Sequence, residues 1–299
     1  MTAHALAHIG VLVADVDLAR ERWSKALGMV FSPITRYRPT NWSDIDNPTP
    51  HLSDARLCFC IGDHPTIEVI EFTGTGTHSP AKGEGGHHLS FPPLDDNEAR
   101  RAQLGMLGVG TDGIIEHDGR LIFMFTDARA LNNVFTEWVE EHPDHADVKD
   151  DLSPVNRLPD GTKTLFDVKT ILDLGGDRPT LRMREVRIAV ADLASSIVMW
   201  TKLTEYDFVP EGFGGRDSAI GTAPDAPTRF RLVENGDPLR AEGLYEAVVE
   251  VDDLLAEQNR LSSAGVPFAV EEVDGAVELA IDRDYLSRFS LRLRSPELE

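Results

Sequence analysis

Four short stretches of the chain place an imidazole or a carboxylate inside a run of strand-forming residues. They are residues 7–13 with His8, 66–72 with Glu68 and Glu71, 85–91 with His87 and His88, and 133–139 with Glu137. Such groups are costly to bury on apolar strands without a partner, and a shared cation offsets that cost. Two imidazoles and two carboxylates suit Zn, Ni, Co, Mn or Fe(II) and leave room for water or substrate. We therefore predict that the four strands share one divalent metal site.

The elements that carry these stretches recur along the chain in the order βαβββ. In the first unit the sequence predicts a strand at 6–14, a helix at 16–28 and strands at 29–37, 55–62 and 65–74. In the second it predicts a strand at 88–92, a helix at 97–107 and strands at 110–117, 121–126 and 133–140. Asp15 is the expected N-cap of the first helix, and Gly28 is its expected stop.

Two further copies of the unit are predicted in the second half of the chain. The third has a strand at 184–191, a helix at 193–203 and strands near Phe208, at 218–221 and at 228–233. The fourth has a strand at 244–249, a helix at 254–263 and strands at 276–281 and 289–293. An internal repeat of this kind determines the fold, and four copies fill the chain.

Two segments lie outside the repeated elements. Residues 38–54 are rich in loop-forming residues, and a connection of this length either covers a substrate or is a surface excursion. Residues 143–179 are acidic and rich in Pro, Asp and Gly, with one strand-like run at 164–174. The predicted organisation is a metal-binding domain at 1–145, a linker at 146–180 and a second domain at 181–299.

The bulk composition excludes several classes of partner. The formal charge of −22 opposes binding to nucleic acid or to an anionic membrane, because polyanions are repelled at long range. Neither a membrane helix nor a signal peptide is evident, so a cytoplasmic location is expected. Cys58 and Cys60 alternate with apolar residues on one strand and are expected to be reduced thiols that are not bonded to each other.

The chain resembles the vicinal oxygen chelate superfamily, which includes glyoxalase I, methylmalonyl-CoA epimerase, extradiol dioxygenases and bleomycin-resistance proteins. The resemblance is carried by His8-Ile9-Gly10-Val11-Leu12-Val13-Ala14-Asp15, by Gly86-His87-His88-Leu89 and by the Glu-bearing closing strands of the first two units. It implies an α+β fold in which four βαβββ modules pair into two domains with cupped mixed sheets. It also implies that the first and last strands of each module supply the ligands of a divalent metal.

Carried over position by position, the resemblance implies His8 and Glu68 as ligands from the first module and His88 and Glu137 from the second. Glu71 is the weaker alternative to Glu68, because residues three apart on a strand face opposite sides and Glu71 is nearer the strand's exit. In such histidine pairs the second residue is usually the ligand. His87 is therefore expected to face the other side of the sheet.

The second half lacks an equivalent ligand set. All ten histidines lie at or before His145. The residues expected at the four equivalent positions are Glu185, then Phe230 or Arg231, then Tyr245 or Glu246, and Arg292. This domain is interpreted as a degenerate copy without metal, whose remaining roles are packing, substrate enclosure or contacts in a homodimer.

The ligand count separates the chemistries of the superfamily. Two His and two Glu resemble the glyoxalase and epimerase branch, whereas ring-cleaving dioxygenases use two His and one carboxylate. The leading hypothesis is a metal-dependent isomerase, epimerase or lyase acting on a small oxygenated substrate, with Glu68 or Glu137 moving the proton.

Two other functions stay open at this point. One is an Fe(II) ring-cleaving dioxygenase, for which His51, His64, His78 and His117 are the candidates for an additional acid–base residue. The other is a protein that binds a drug or metabolite without chemistry.

Overall fold

The computed structural model describes residues 4–140 except 38, 40, 63, 64, 93 and 118, and also residues 182–235 and 241–296. The described residues form two curled mixed sheets with helices packed against them, which confirms the predicted α+β fold of βαβββ modules. The linker at 146–180, its strand-like run at 164–174 and both predicted domain boundaries lie outside the described residues. The division into domains at those boundaries therefore stays a prediction.

The described part of the first half contains nine strands and two α-helices. The strands are His8–Val13 (β1), Thr35–Tyr37 (β2), Trp42–Ser43 (β3), Ala55–Phe59 (β4), Thr66–Glu71 (β5), Gly85–Ser90 (β6), Thr111–His117 (β7), Arg120–Thr126 (β8) and Phe135–Val139 (β9). The helices are Val16–Leu27 (α1) and Asn97–Met106 (α2), with short 3₁₀ turns at Pro80–Lys82 and Ala128–Ala130. The predicted elements are present, and β3 is an addition inside the segment that was predicted to be a connection.

The second half repeats the order. Its strands are Met183–Val190 (β10), Asp207–Phe213 (β11), Arg216–Ala223 (β12), Ala226–Glu234 (β13), Gly243–Glu250 (β14), Phe268–Val273 (β15), Ala276–Ile281 (β16) and Ser290–Arg294 (β17). Its helices are Leu193–Thr204 (α3) and Leu254–Ser263 (α4). Sequence reasoning missed β15, because this edge strand has no buried residue and so shows no apolar alternation.

The two sheets share one strand order. The first runs β2-β4-β5-β1-β6-β9-β8-β7-β3 and the second runs β11-β12-β13-β10-β14-β17-β16-β15. In each, the first strands of two modules meet in an antiparallel pair at the centre, and each pairs in parallel with the last strand of its own module. The metal-ligand candidates lie on these four central strands.

Each helix begins at an aspartate that caps it. The side chains of Asp15, Asp96, Asp192 and Asp253 each accept a hydrogen bond from a backbone N–H in the first turn. Gly28 ends α1 in the left-handed conformation at a φ of 67°, as predicted. Trp23 of α1 and Trp200 of α3 are fully buried against their sheets. The helices therefore cover one face of each sheet and leave the other face free to form a cup.

The thiols of Cys58 and Cys60 are free, as predicted, and they are buried in the core on the helix side of the first sheet. Among the described residues, no helix is long and apolar enough to span a membrane.

The two halves contact each other in the described part of the chain. Strand β6 lies against β14, and a Cβ atom at Gly86 would come within 2.3 Å of the Leu244 carbonyl oxygen. Arg100 donates to the Leu203 carbonyl at 2.6 Å, and Trp200 donates from Nε1 to Asn132 at 2.9 Å. Gly86 is therefore required by close packing between the halves.

Candidate metal centre

The register of the central strands brings the four predicted ligands to one face of the first sheet. Gly10 lies opposite both Glu68 and His88, and Ser90 lies opposite both His8 and Glu137. Because paired residues on neighbouring strands point to the same side, the four side chains project into the cup rather than toward the helices.

The four ligand atoms converge on one point. His8 Nε2 lies 3.2 Å from His88 Nε2, 3.6 Å from Glu68 Oε2 and 3.7 Å from Glu137 Oε2. His88 Nε2 lies 3.1 Å from Glu68 Oε2 and 3.4 Å from Glu137 Oε2. All four atoms lie within 4.8 Å of one another, and none of the four residues is more than 9% exposed.

These separations fit a shared divalent cation. Metal–ligand bonds of about 2.1 Å place neighbouring ligand atoms about 3.0 Å apart in an octahedral site and about 3.4 Å apart in a tetrahedral one. The observed contacts of 3.1 to 3.7 Å include the tetrahedral value and begin just above the octahedral one. The mixed nitrogen and oxygen set suits Zn, Ni, Co, Mn or Fe, so the residues present fit the predicted cofactor.

The electrostatics of the cluster favour a positive charge at the point of convergence. Burial by itself would lower the pKa of His8, but the carboxylates of Glu137 and Glu68 outweigh it and raise this pKa to about 9. Burial acts in the opposite sense on Glu68, yet contacts with His8 and His88 hold its pKa well below the usual range. The carboxylates attract a proton here as they would attract a metal ion.

Gly10 supplies the space in which the ligands meet. A Cβ atom at this position would lie 1.9 Å from His88 Cε1, so the imidazole occupies the place of a side chain at residue 10. Any other residue would push His88 away from Glu68. Gly10 is therefore part of the site, although it contributes no ligand.

The alternative carboxylate, Glu71, contributes to a different structure. It pairs with Arg56 at 3.1 Å and accepts from the backbone N–H of Val16 at the start of α1. Glu137 has an additional partner, because its Oε1 accepts from Ser90 Oγ at 3.1 Å while its Oε2 faces the histidines. The structure thus groups Glu68, and not Glu71, with the two histidines and Glu137.

The prediction that His87 faces the opposite side of the sheet is wrong. The β1–β6 register passes from the Gly10–His88 pair to the Val11–Gly86 pair, which leaves His87 as an extra residue in a β-bulge. Its Nδ1 lies 3.0 Å from His88 Nδ1, and its Nε2 lies 2.9 Å from the Thr77 carbonyl oxygen. Strict alternation of side chains fails here because a bulge re-aims the residue it contains.

Aromatic side chains surround the cluster on the concave face. Phe59 makes an edge contact with His8 at 5.4 Å between ring centroids, and Phe125 lies 5.0 Å from His88. Phe135 stacks on His87 at 4.5 Å. These residues belong to a second apolar cluster that is separate from the core under the helices. The ligands therefore sit in an apolar environment that strengthens their electrostatic interactions.

The described part of residues 38–54 adds the short strand β3 to the edge of the first sheet. Trp42 pairs with Ile115 at the edge formed by β7, and its ring packs against Phe123 and Phe125. It is 3% exposed, and its Nε1 donates to Asp44 at 2.9 Å. The segment therefore adds one aromatic side chain to the concave apolar cluster, and its role in covering a substrate stays a prediction.

The candidate acid–base histidines lie in different surroundings. His78 is buried, contacts the rings of Trp42, His87 and Phe125, and has a pKa lowered to about 4 by burial and by the charge of His88. His51 is half-buried and bonds to the Thr49 carbonyl, while His64 lies outside the described residues. His117 ends β7, and its side chain is likewise not described. Of the two candidates whose side chains the structure describes, His78 and not His51 lies beside the predicted ligands.

The equivalent point of the second sheet holds an ion-pair cluster. The register identifies Glu185, Arg231, Glu246 and Arg292 as the counterparts of His8, Glu68, His88 and Glu137. Arg187 stands at the position of Gly10, donates from Nε to Glu185 at 2.6 Å and also donates to Glu246. A cavity of about 480 Å³ borders this cluster. This set of residues offers paired charges in place of a metal-ligand set.

Comparison with known proteins supports the fold and the resemblance to the superfamily. Residues 7–116 match the model of the Glyoxalase/Bleomycin resistance protein/Dioxygenase superfamily. A comparison with curated protein sequences gave no match.

Solved structures of similar fold span nearly the whole chain. A mutant of 4-hydroxymandelate synthase from Streptomyces coelicolor is 12% identical with a TM-score of 0.61, over 100% of this chain and 95% of that chain. The 2,3-dioxygenase LapB from Pseudomonas sp. KL28 is 13% identical with a TM-score of 0.59, over 100% and 94%. The Mn(II)-bound glyoxalase from Novosphingobium aromaticivorans is 9% identical with a TM-score of 0.59, over 98% and 82%. The family-model match over residues 7–116 and the shared fold confirm the resemblance of this chain to the vicinal oxygen chelate superfamily.

Proposed function

We propose that the protein is a divalent-metal-dependent enzyme of the glyoxalase or epimerase type, an isomerase, epimerase or lyase acting on a small oxygenated substrate. The observation that carries the proposal is the convergence of two buried imidazoles and two buried carboxylates within 4.8 Å. A fourth protein ligand favours chemistry in which the metal keeps its oxidation state over the three-ligand arrangement of ring-cleaving dioxygenases.

The proposed ligands are His8, Glu68, His88 and Glu137, with Zn, Ni, Co, Mn or Fe as the cofactor. When bound, such an ion polarises oxygen atoms of the substrate and lowers the cost of forming an enolate or oxyanion. The protein contributes the fixed geometry of the ligands and an apolar surrounding that excludes water.

The two carboxylates are the proposed proton carriers. Glu137 is held on its second oxygen by Ser90, which restrains its movement. Glu68 Oε2 faces both histidines, so this oxygen is the one we assign to take a proton from substrate and return it. The effect of Ser90 on Glu137 favours Glu68 as the carboxylate that moves, with Glu137 as the alternative.

The lining of the cup limits the kind of substrate. The concave cluster includes Tyr37, Phe59, Phe123 and Phe125, and Arg36 is directed to an exposed pair with Asp54. The part of the substrate that does not contact the metal is therefore proposed to be uncharged and apolar. A cytoplasmic location and assembly as a homodimer complete the proposal.

One observation favours a second candidate, an Fe(II) ring-cleaving dioxygenase. His78 and Tyr37 are both buried near the cluster, and burial with the charges of Glu137 and Glu68 raises the pKa of Tyr37 well above its usual value. These residues would serve as acid–base groups for a bound catechol.

Metal analysis combined with two assays separates the candidates. We expect about one Zn, Ni, Co or Mn per purified chain, with solvent-deuterium exchange into a 2-oxo or acyl substrate and no oxygen uptake on catechols. Iron with oxygen uptake on catechols would replace the proposal by the dioxygenase. A metal-free protein that binds none of these ions when they are added would contradict both.

A further inference from the structure

A chain of two hydrogen bonds leads from the backbone to one of the proposed ligands. His87 Nε2 lies 2.9 Å from the carbonyl oxygen of Thr77, and His87 Nδ1 lies 3.0 Å from His88 Nδ1. The far nitrogen of His88, Nε2, is the atom that faces Glu68 and Glu137.

The carbonyl oxygen of Thr77 fixes the direction of both hydrogen bonds. A carbonyl oxygen only accepts, so His87 Nε2 must carry a hydrogen and donate it to Thr77. A neutral imidazole then has a lone pair on Nδ1, which accepts from His88 Nδ1–H. When His88 carries a single hydrogen, that hydrogen is on Nδ1 and the lone pair is on Nε2, the nitrogen that points into the cluster.

We propose that His87 is a positioning residue that holds His88 in the tautomer whose Nε2 is free to bind the metal. The proposal rests on the metal site described under Proposed function. Outer hydrogen bonds of this kind fix ring orientation and tautomer in metal-binding histidines.

The surroundings of His87 hold its ring in place for this role. The ring is 4% exposed, stacks on Phe135 at an interplanar angle of 23° and contacts His78 and Phe125. The bulge at this position also occurs in the second sheet, where the register passes from the Arg187–Glu246 pair to Ile188–Leu244 and leaves Tyr245 as the extra residue. The bulge is thus a feature of the fold, and the imidazole in it belongs to the half with the metal-ligand set.

Two substitutions of His87 distinguish the effect of its hydrogen bonds from the effect of its ring packing. His87→Phe keeps a planar ring to stack on Phe135 but removes both nitrogens. His87→Asn places an amide oxygen near the position of Nδ1, where it accepts from His88. Tyr245→Phe, at the equivalent bulge of the second sheet, is the matched control.

The first readout is the tautomer of His88 in the metal-free protein, measured by nitrogen-15 NMR of histidine-labelled chain. We expect hydrogen on Nδ1 of His88 and on Nε2 of His87 in the wild type. A His88 ring without hydrogen on Nδ1 in the wild type would overturn the proposal.

The second readout is the affinity for Zn²⁺ and Mn²⁺, measured by competition with a chelator. We expect a loss of about 10- to 100-fold in His87→Phe, recovery of most of it in His87→Asn and no change in Tyr245→Phe. An affinity of His87→Phe within twofold of wild type would overturn the proposal. If the wild-type protein binds neither ion, the proposed function fails, and the tautomer measurement still decides the role of His87.

Discussion

At the centre of each sheet, the same register position holds a very different residue: a glycine in the first sheet and an arginine in the second. In the first, Gly10 lies between Glu68 and His88, and the empty position leaves room for ligands to meet. In the second, Arg187 lies between Arg231 and Glu246 and fills that room with a guanidinium.

The comparison shows that the fold collects buried carboxylates at this point in both halves. Glu68 and Glu137 converge in one cup, and Glu185 and Glu246 converge in the other. Buried carboxylates need positive charge nearby. The second half supplies it with the side chains of Arg187, Arg231 and Arg292, whereas we propose that the first half takes it from a bound metal ion.

The largest effect is expected from removing a ligand. His88→Ala should abolish binding of divalent metal, from about one ion per chain to none, because the remaining ligands cannot close the site. Metal content after dialysis, measured by mass spectrometry, checks this. Glu246→Gln, at the equivalent position of the second sheet, should leave the content at the wild-type value. Full metal content in His88→Ala would show that the ion binds elsewhere.

A smaller but still large loss is expected when the space between the ligands is filled. Gly10→Ala places a Cβ atom 1.9 Å from the His88 ring and should lower metal affinity at least about tenfold by displacing that ring. Gly105→Ala is the control, since a Cβ atom there meets no atom within 4 Å. Chelator competition with Zn²⁺ measures both variants, and equal affinity in the two would contradict the role assigned to Gly10.

The reverse experiment removes the built-in cation of the second half. Arg187→Met leaves Glu185 and Glu246 without their central partner and should lower the free energy of unfolding by about 3 to 5 kcal/mol. Arg182→Ala breaks an exposed pair with Asp252 and should cost less than about 1 kcal/mol. Urea denaturation followed by circular dichroism compares them. Similar midpoints would mean that the buried cluster contributes no more than a surface pair.

The smallest expected effect is on the folding stability of the protein at low pH. Burial would raise the pKa of Glu185, but Arg231 and Arg187 outweigh it and lower this pKa from 4.5 to about 2. The folded pKa is the lower one, so this stabilisation is present above pH 4.5 and is lost as the pH falls to about 2. The loss is at most about 3 kcal/mol.

Glu185→Gln removes this titration and should flatten the stability profile between pH 4.5 and 2, measured by thermal unfolding in a pH series. Asp252→Asn, which removes a carboxylate at the surface, should keep the wild-type slope. An unchanged slope in Glu185→Gln would show that the cluster is not responsible for it.

The sequence by itself predicted the repeat, the four helices with the aspartate cap of the first, and the four candidate ligands. These are local patterns: apolar periodicity marks an element, and a polar group inside such a run is conspicuous. The equivalence of Glu185 with His8 and of Arg292 with Glu137 also followed from the repeat and agrees with the strand register.

Only the tertiary structure decided the features that depend on contacts between distant strands. The bulge that turns His87 toward His88 is a property of the β1–β6 pair, and the need for glycine at residue 10 arises from a ring that is 78 positions away in sequence. The same holds for Arg187. In the sequence it looks like an ordinary strand residue, and only the structure shows that it donates to both Glu185 and Glu246. Spacing along one strand identifies which residues can bind a metal, but the register between strands decides which neighbours hold them in place.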